Sequence, residues 1–125
     1  MNEFPNFAPV HQHLTTDQIA DVNAHVRAQL AAADLRQRIQ PGSRVAIGLG
    51  SRGVACIRDV VPPLVETLLE WGALPFSVPA MGSHGGGTAE GQREVLVGYG
   101  LAKLGVPILS NMESVQIGAT PEGMP

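Results

Sequence analysis

Two glycine-rich stretches hold the side chains best suited to chemistry, Gly48-Leu49-Gly50-Ser51-Arg52-Gly53 and Met81-Gly82-Ser83-His84-Gly85-Gly86-Gly87-Thr88. Arg52 offers a planar guanidinium for a carboxylate or phosphate, and His84 an imidazole of the kind that moves a proton near neutral pH. The plainer alternatives are an arginine in a surface ion pair and a loop histidine bonded to backbone. Glycines crowding both sides of His84 argue that something approaches the backbone there.

Each stretch suggests a known ligand class and then falls short of it. The first is a literal G-x-G-x-x-G, but a dinucleotide site needs an acidic residue about twenty positions on, where this chain has Val78-Pro79-Ala80-Met81. The second has the glycines and threonine of a phosphate loop without its lysine, which argues against nucleotide hydrolysis. What survives is the physics of an anion site, because glycine-loop N–H groups and a helix N-terminus favour negative charge. If both loops leave neighbouring parallel strands, they share the carboxyl edge of the sheet, and Arg52 and His84 converge there.

The elements that must position these loops are readable from pattern. Thr15-Thr16-Asp17-Gln18 has the form of a capping box, with Leu14 able to staple onto Ile19. Ile19, Val22, Val26, Leu30 and Ala33 then mark one buried helical stripe that Pro41-Gly42 stops, with His25 off the stripe. Arg44–Leu49 reads as a strand buried on both faces. Asp59 can cap a helix with Pro62 and Pro63 in its first turn, Leu64, Val65, Leu68 and Trp71 on its buried side, and Gly72 as its terminator. Leu74–Pro79 is a second parallel strand. Thr88 caps a further helix, with Glu90 in its first turn, which runs to about Gly98 and is weakened by Gly91. Val115–Ala119 alternates like a strand and leads into a turn at Thr120–Gly123. The expected fold is α/β, a mostly parallel, Rossmann-like sheet of βαβ units with an N-terminal helix. Residues 1–40 form an arm and packing helix, and residues 41–125 form the α/β domain. A closing strand and turn with nothing to pair against suggests part of a longer protein.

Composition narrows the classes of function. The chain has 125 residues, 44% of them hydrophobic and 15% charged, enough to bury roughly two-thirds of its unfolded surface. Net charge is −3, without a basic cluster, and there are five aromatic residues (Phe 3, Trp 1, Tyr 1), so nucleic acid is a poor partner. The single cysteine, Cys56, excludes an internal disulfide, fits a reducing compartment and reads as a small core hydrophobe. His11 and His13 alternate as on one face of a strand and could meet a metal, though solvated surface explains them as well. No secretory leader is visible, and no run approaches about 18 uninterrupted apolar residues. The expected location is cytoplasmic, with no membrane partner.

Gly50-Ser51-Arg52-Gly53-Val54-Ala55, the run Val78–Gln92 and Ser114-Val115-Gln116-Ile117-Gly118 together resemble the N-terminal domain of the nickel-dependent lactate racemase family. The similarity spans about residues 40 to 123 and is nearest a branch carrying the longer Gly-Ser-His-Gly-Gly loop. It implies a two-domain isomerase, a racemase or epimerase of 2-hydroxy acids, holding a nickel pincer nucleotide between its domains. It also implies that His84 is an acid/base residue and that Arg52 holds an anionic group. Ser51, Gly53, Gly85 and Gly86 would line the cofactor. Two departures, Leu49 in place of an aspartate and Gly85 in place of an arginine, put lactate itself in doubt. The resemblance puts the nickel ligand, the tethering lysine and the second acid/base histidine in a C-terminal domain beyond Pro125, so the 125 residues alone should be inactive. A non-catalytic nucleotide- or phosphate-binding module and an NAD-binding fragment remain the alternatives.

Overall fold

The computed structural model describes residues 7–15, 17–51 and 56–124. Its elements follow the order α1 (Val22–Ala32), α2 (Leu35–Arg38), β1 (Arg44–Leu49), α3 (Ile57–Glu70), β2 (Leu74–Pro79) and α4 (Ala89–Gly98). Short 3-10 turns stand at Gly85–Gly87 and Leu101–Leu104. The result is a mixed α/β arrangement in which β1 and β2 run parallel, in register from Arg44 opposite Leu74 to Leu49 opposite Pro79. Both strands have the bounds the sequence pattern predicts.

The sheet is smaller than expected, and its third position is elsewhere. Ser77 N–H donates to the Pro107 carbonyl, and Leu109 N–H donates to the Ser77 carbonyl, both at 2.8 Å. Residues around Ile108 therefore add a parallel bridge to β2. Val115–Ala119 forms no strand, with Val115 and Ile117 almost fully exposed. Alternation alone cannot tell a strand from an unpaired segment, because a strand exists only when a neighbour takes its hydrogen bonds. The turn at Thr120–Gly123 does form, closed by Gly123 N–H to the Thr120 carbonyl at 2.9 Å.

β1 is also not buried on both faces. Ile47 and Leu49 are buried, while Arg44, Ala46 and Gly48 are exposed. The reason is that one hydrophobic cluster takes Ile47 and Leu49 together with Val61, Val65 and Leu68 of α3, Leu96 of α4, and Leu101. Helices that share a single cluster with one set of strand positions leave the alternate positions, including Leu74, open. Among the described residues, no helix is long and apolar enough to cross a membrane.

α4 keeps its expected bounds, from the Thr88 cap to Gly98, whereas α1 and α3 begin at other places than the sequence suggests. α1 starts after Asp21, whose Oδ1 accepts from Ala24 N–H at 2.9 Å. The expected capping box includes Thr16, outside the described residues, and Leu14 and Ile19 are both exposed. Without that staple, the Asp21 cap sets where the helix begins. It ends before a left-handed Asp34 (φ 52°), well ahead of Pro41. That turn carries half-buried Ile39 against the core. Val22, Val26 and Leu30 are only half-buried and Ala33 is exposed, so the stripe is thin; His25 is exposed, as expected.

α3 starts earlier than expected, at Ile57, which puts Asp59 in its first turn and Pro62 and Pro63 inside it. Each proline lacks the N–H that the carbonyl four residues back would accept from. Those carbonyls belong to Arg58 and Asp59, both on the exposed side where water can take their place. Cys56 stands at the helix N-cap and is exposed, not a core residue, because the helix begins directly after it. Val65 and Leu68 are buried as expected, whereas Leu64 and Trp71 are half-buried. Gly72 ends the helix (φ 78°) as anticipated.

Candidate functional site

The carboxyl ends of β1 and β2 lie side by side, and Ala80 N–H continues the ladder to the Leu49 carbonyl at 2.8 Å. The chain leaving β1 reaches Ser51 and the chain leaving β2 reaches His84. The two meet there, Ser51 Oγ forming a hydrogen bond with His84 Nδ1. Gly50, Ser51 and the run Ala80–His84 line an open cleft of about 370 Å³. Two loops distant in sequence thus converge because parallel pairing puts both strand ends at the same edge.

A serine hydroxyl both donates and accepts, so it can serve Nδ1 in either imidazole tautomer and in the protonated ring. Engaging Nδ1 leaves Nε2 as the nitrogen that can exchange a proton with a ligand. In serine hydrolases the histidine instead addresses its serine through Nε2 and is backed by an acid. Among the described residues no carboxylate bonds His84, so the contact suits orientation of the imidazole better than activation of Ser51 as a nucleophile. Both partners are half-buried, and a hydrogen bond in that setting contributes about 1 kcal/mol.

The other expected residues divide. Arg52 and Gly53 lie outside the described residues. Ser51, expected against a cofactor, has its hydroxyl bonded to His84. Gly85 and Gly86 follow His84 in a left-handed run, with φ of 64°, 68° and 65° at Gly85, Gly86 and Gly87. A Cβ at Gly85 would collide with the backbone of Gly91, whereas one at Gly86 would meet nothing within 4 Å. Gly86 and Gly87 are thus the open positions of the run, and among the described residues the Gly86 N–H has no acceptor.

Two residues that hold the site were not anticipated as site residues. Tyr99, which caps the C-terminus of α4, donates its hydroxyl to the Ser51 carbonyl at 3.1 Å. Gln92 donates Nε2 to the Gly82 carbonyl at 2.6 Å and is buried. Gln92 lies four residues after the capping Thr88, a spacing that returns a side chain to the same helix face. Tyr99 left no such signal, since its contact spans 48 positions.

Thr88 caps α4 as expected, its Oγ1 accepting from Gly91 N–H at 3.1 Å. His11 and His13 are exposed, and among the described residues no group of three His, Cys, Asp or Glu side chains is placed to hold a metal. Comparisons with protein-family models, curated proteins and solved structures found no match.

Proposed function

We propose that this chain supplies one wall of the active site of a racemase or epimerase of 2-hydroxy acids that works with a nickel pincer nucleotide. In this reading it is a Rossmann-like N-terminal domain and a second domain of the same protein closes the cleft. The observation that carries the reading is the Ser51–His84 pair at the carboxyl edge of two parallel strands, beside an open, glycine-lined loop.

His84 Nε2 takes the proton of the substrate hydroxyl and later gives it back, while Ser51 holds Nδ1 and so keeps the ring in one orientation. Arg52 would neutralise the substrate carboxylate, the role the loop resemblance gives it. When bound, the cofactor would supply reversible hydride acceptance, so the interconversion would need no external oxidant. The fit of this wall to a nucleotide rests on Gly82 and Gly86, where an added Cβ would meet nothing within 4 Å. No described cluster suits the nickel itself, so its ligands would come from the second domain.

The test uses the protein encoded by the whole reading frame. Nickel content is measured together with interconversion of the enantiomers of a panel of 2-hydroxy acids, for the wild type and His84→Asn. The reading expects bound nickel and an interconversion that falls by at least about 100-fold in the variant, the usual scale of general acid–base catalysis. Full activity in His84→Asn, or no interconversion by the nickel-loaded protein, overturns it.

A second reading, a non-catalytic module that holds a nucleotide or phosphate, is favoured by the open Gly86 N–H beside the start of α4. Isothermal titration of the 125-residue chain with mononucleotides separates the two. Micromolar binding favours the module, because a shared cleft leaves half its contacts to the other domain.

A further inference from the structure

We propose that Gln92 and Thr88 are positioning residues for His84, gripping the histidine loop at a carbonyl on either side of it. The proposal rests on the reading of His84 as the proton-exchanging group and adds to it the residues that aim the imidazole.

The first observation is a buried amide. Gln92 is only 4% exposed, and burying an amide is unfavourable unless its hydrogen bonds are made. Its Nε2 donates at 2.6 Å to the Gly82 carbonyl, two residues before His84. Packing alone would be met by leucine or methionine at that position. A polar side chain is accounted for by the loop carbonyl it holds.

The second grip lies just after the histidine. Thr88 Oγ1 donates to the Gly85 carbonyl at 3.2 Å and accepts from Gly91 N–H at 3.1 Å. Thr88 N–H reaches the same carbonyl at 3.5 Å. One hydroxyl therefore caps α4 and ties down the loop. The arrangement needs glycine at both 85 and 91, since a Cβ on either would strike the backbone of the other.

These grips answer a physical problem. A loop with left-handed glycines at 82, 85, 86 and 87 has more conformational freedom to lose than any other kind of loop. Proton transfer needs its partners within hydrogen-bond reach, and a displacement of about 1 Å can cost about 100-fold in rate. Ser51 meets the ring from the first loop, but it can hold the ring only if the backbone that carries the ring stays in place.

The experiment reads the His84 imidazole nitrogens directly, by long-range proton–nitrogen NMR spectra of the 125-residue chain assigned with His84→Asn. In the wild type, Nδ1 should show the shift of a hydrogen-bonded nitrogen, displaced from that of a free imidazole. Gln92→Met, which keeps length and loses the donor, and Thr88→Val should both move these signals toward the free-imidazole positions. Thr88→Ser, which restores the hydroxyl, and Leu96→Val, which loosens the core beside the loop, should leave them near the wild-type positions.

If Ser51→Ala moves the signals and Gln92→Met does not, the grip is overturned and the Ser51–His84 contact stands. If Ser51→Ala moves nothing, the contact fails, and with it both the grip and the reading on which it rests. Should the Gln92 variant not fold, the wild type decides. The Gln92 side-chain amide protons should exchange with water far more slowly than those of exposed Gln29, and equal rates overturn the proposal.

Discussion

At the scale of single residues, glycines 85, 86 and 91 show how differently one residue type can be used. By helix propensity, Gly91→Ala should stabilise α4 by about 1 kcal/mol. The contact with the Gly85 carbonyl leaves no room for the added methyl, and forcing atoms into a filled space costs about 1–3 kcal/mol. Backbone on backbone cannot relax by a rotamer change, so the clash wins. Gly91→Ala should destabilise the protein by about 2 kcal/mol in urea unfolding. Gly86→Ala has open space but a φ of 68°, and should cost only the left-handed penalty, about 1 kcal/mol. A stabilised Gly91→Ala would show that the loop can move away from α4, which the grip on His84 does not permit. The helix-weakening glycine expected from sequence is thus a contact glycine, and its partner lies six positions away across a turn.

At the scale of elements, α1 meets α3 through half-buried and polar side chains, outside the hydrophobic cluster. Among the described residues, α1 contributes none that is fully buried. Arg27 supplies much of the polar contact, pairing with Glu66 and with Glu70 at 2.9 Å each and reaching Thr67 Oγ1 at 3.4 Å. The hydrogen bond to Glu70 is the main reason the guanidinium holds its proton more tightly than a free arginine; burial works against this, and Glu66 adds to it. Both carboxylates are more than half exposed, so salt should screen the contact. Arg27→Ala should lower the melting temperature measurably at low ionic strength and lose most of that effect in 1 M salt, where the screening length is about 3 Å. A difference independent of salt would mean that Arg27 acts through the packing of its stem.

At the scale of the whole molecule, a single hydrophobic cluster joins β1, and Ala73 and Met81 at either end of β2, to α3, α4 and Leu101, and α1 lies outside it. Leu96 is fully buried in that cluster, and truncating such a leucine costs about 2–5 kcal/mol, a large share of the 5–15 kcal/mol typical of a domain. Leu96→Ala should therefore lower the midpoint of one cooperative transition, seen equally by far-ultraviolet circular dichroism and by the fluorescence of Trp71. Val26→Asp should instead separate the two signals. It places a charge on a half-buried position of α1, so helical signal should be lost while Trp71, packed against the core cluster, reports an unchanged transition. Coincident unfolding of Val26→Asp by both probes would show that α1 is integral to the core.

What the sequence by itself determined is local. Leu74–Pro79 and Arg44–Leu49 are short apolar runs bounded by glycine and proline, Thr88 is a cap with its helix behind it, and Gly72 is a terminator; each is decided by neighbours a few residues away. The glycine loops around Ser51 and His84 were legible for the same reason, as breaks between such elements. Everything that needed a distant partner was left to the tertiary structure. Val115–Ala119 alternates without finding a strand to pair with, while Ile108 beside Pro107 pairs with Ser77 despite a weaker pattern. α3 takes two prolines into its body because the exposed carbonyls they orphan can turn to water. Tyr99 and Gln92 come to the site only once α4 is laid against both loops. Propensity and capping are properties of adjacent residues and can be read along the chain, whereas hydrogen bonds between strands and the grip of a helix on a loop exist only after folding has chosen which surfaces meet.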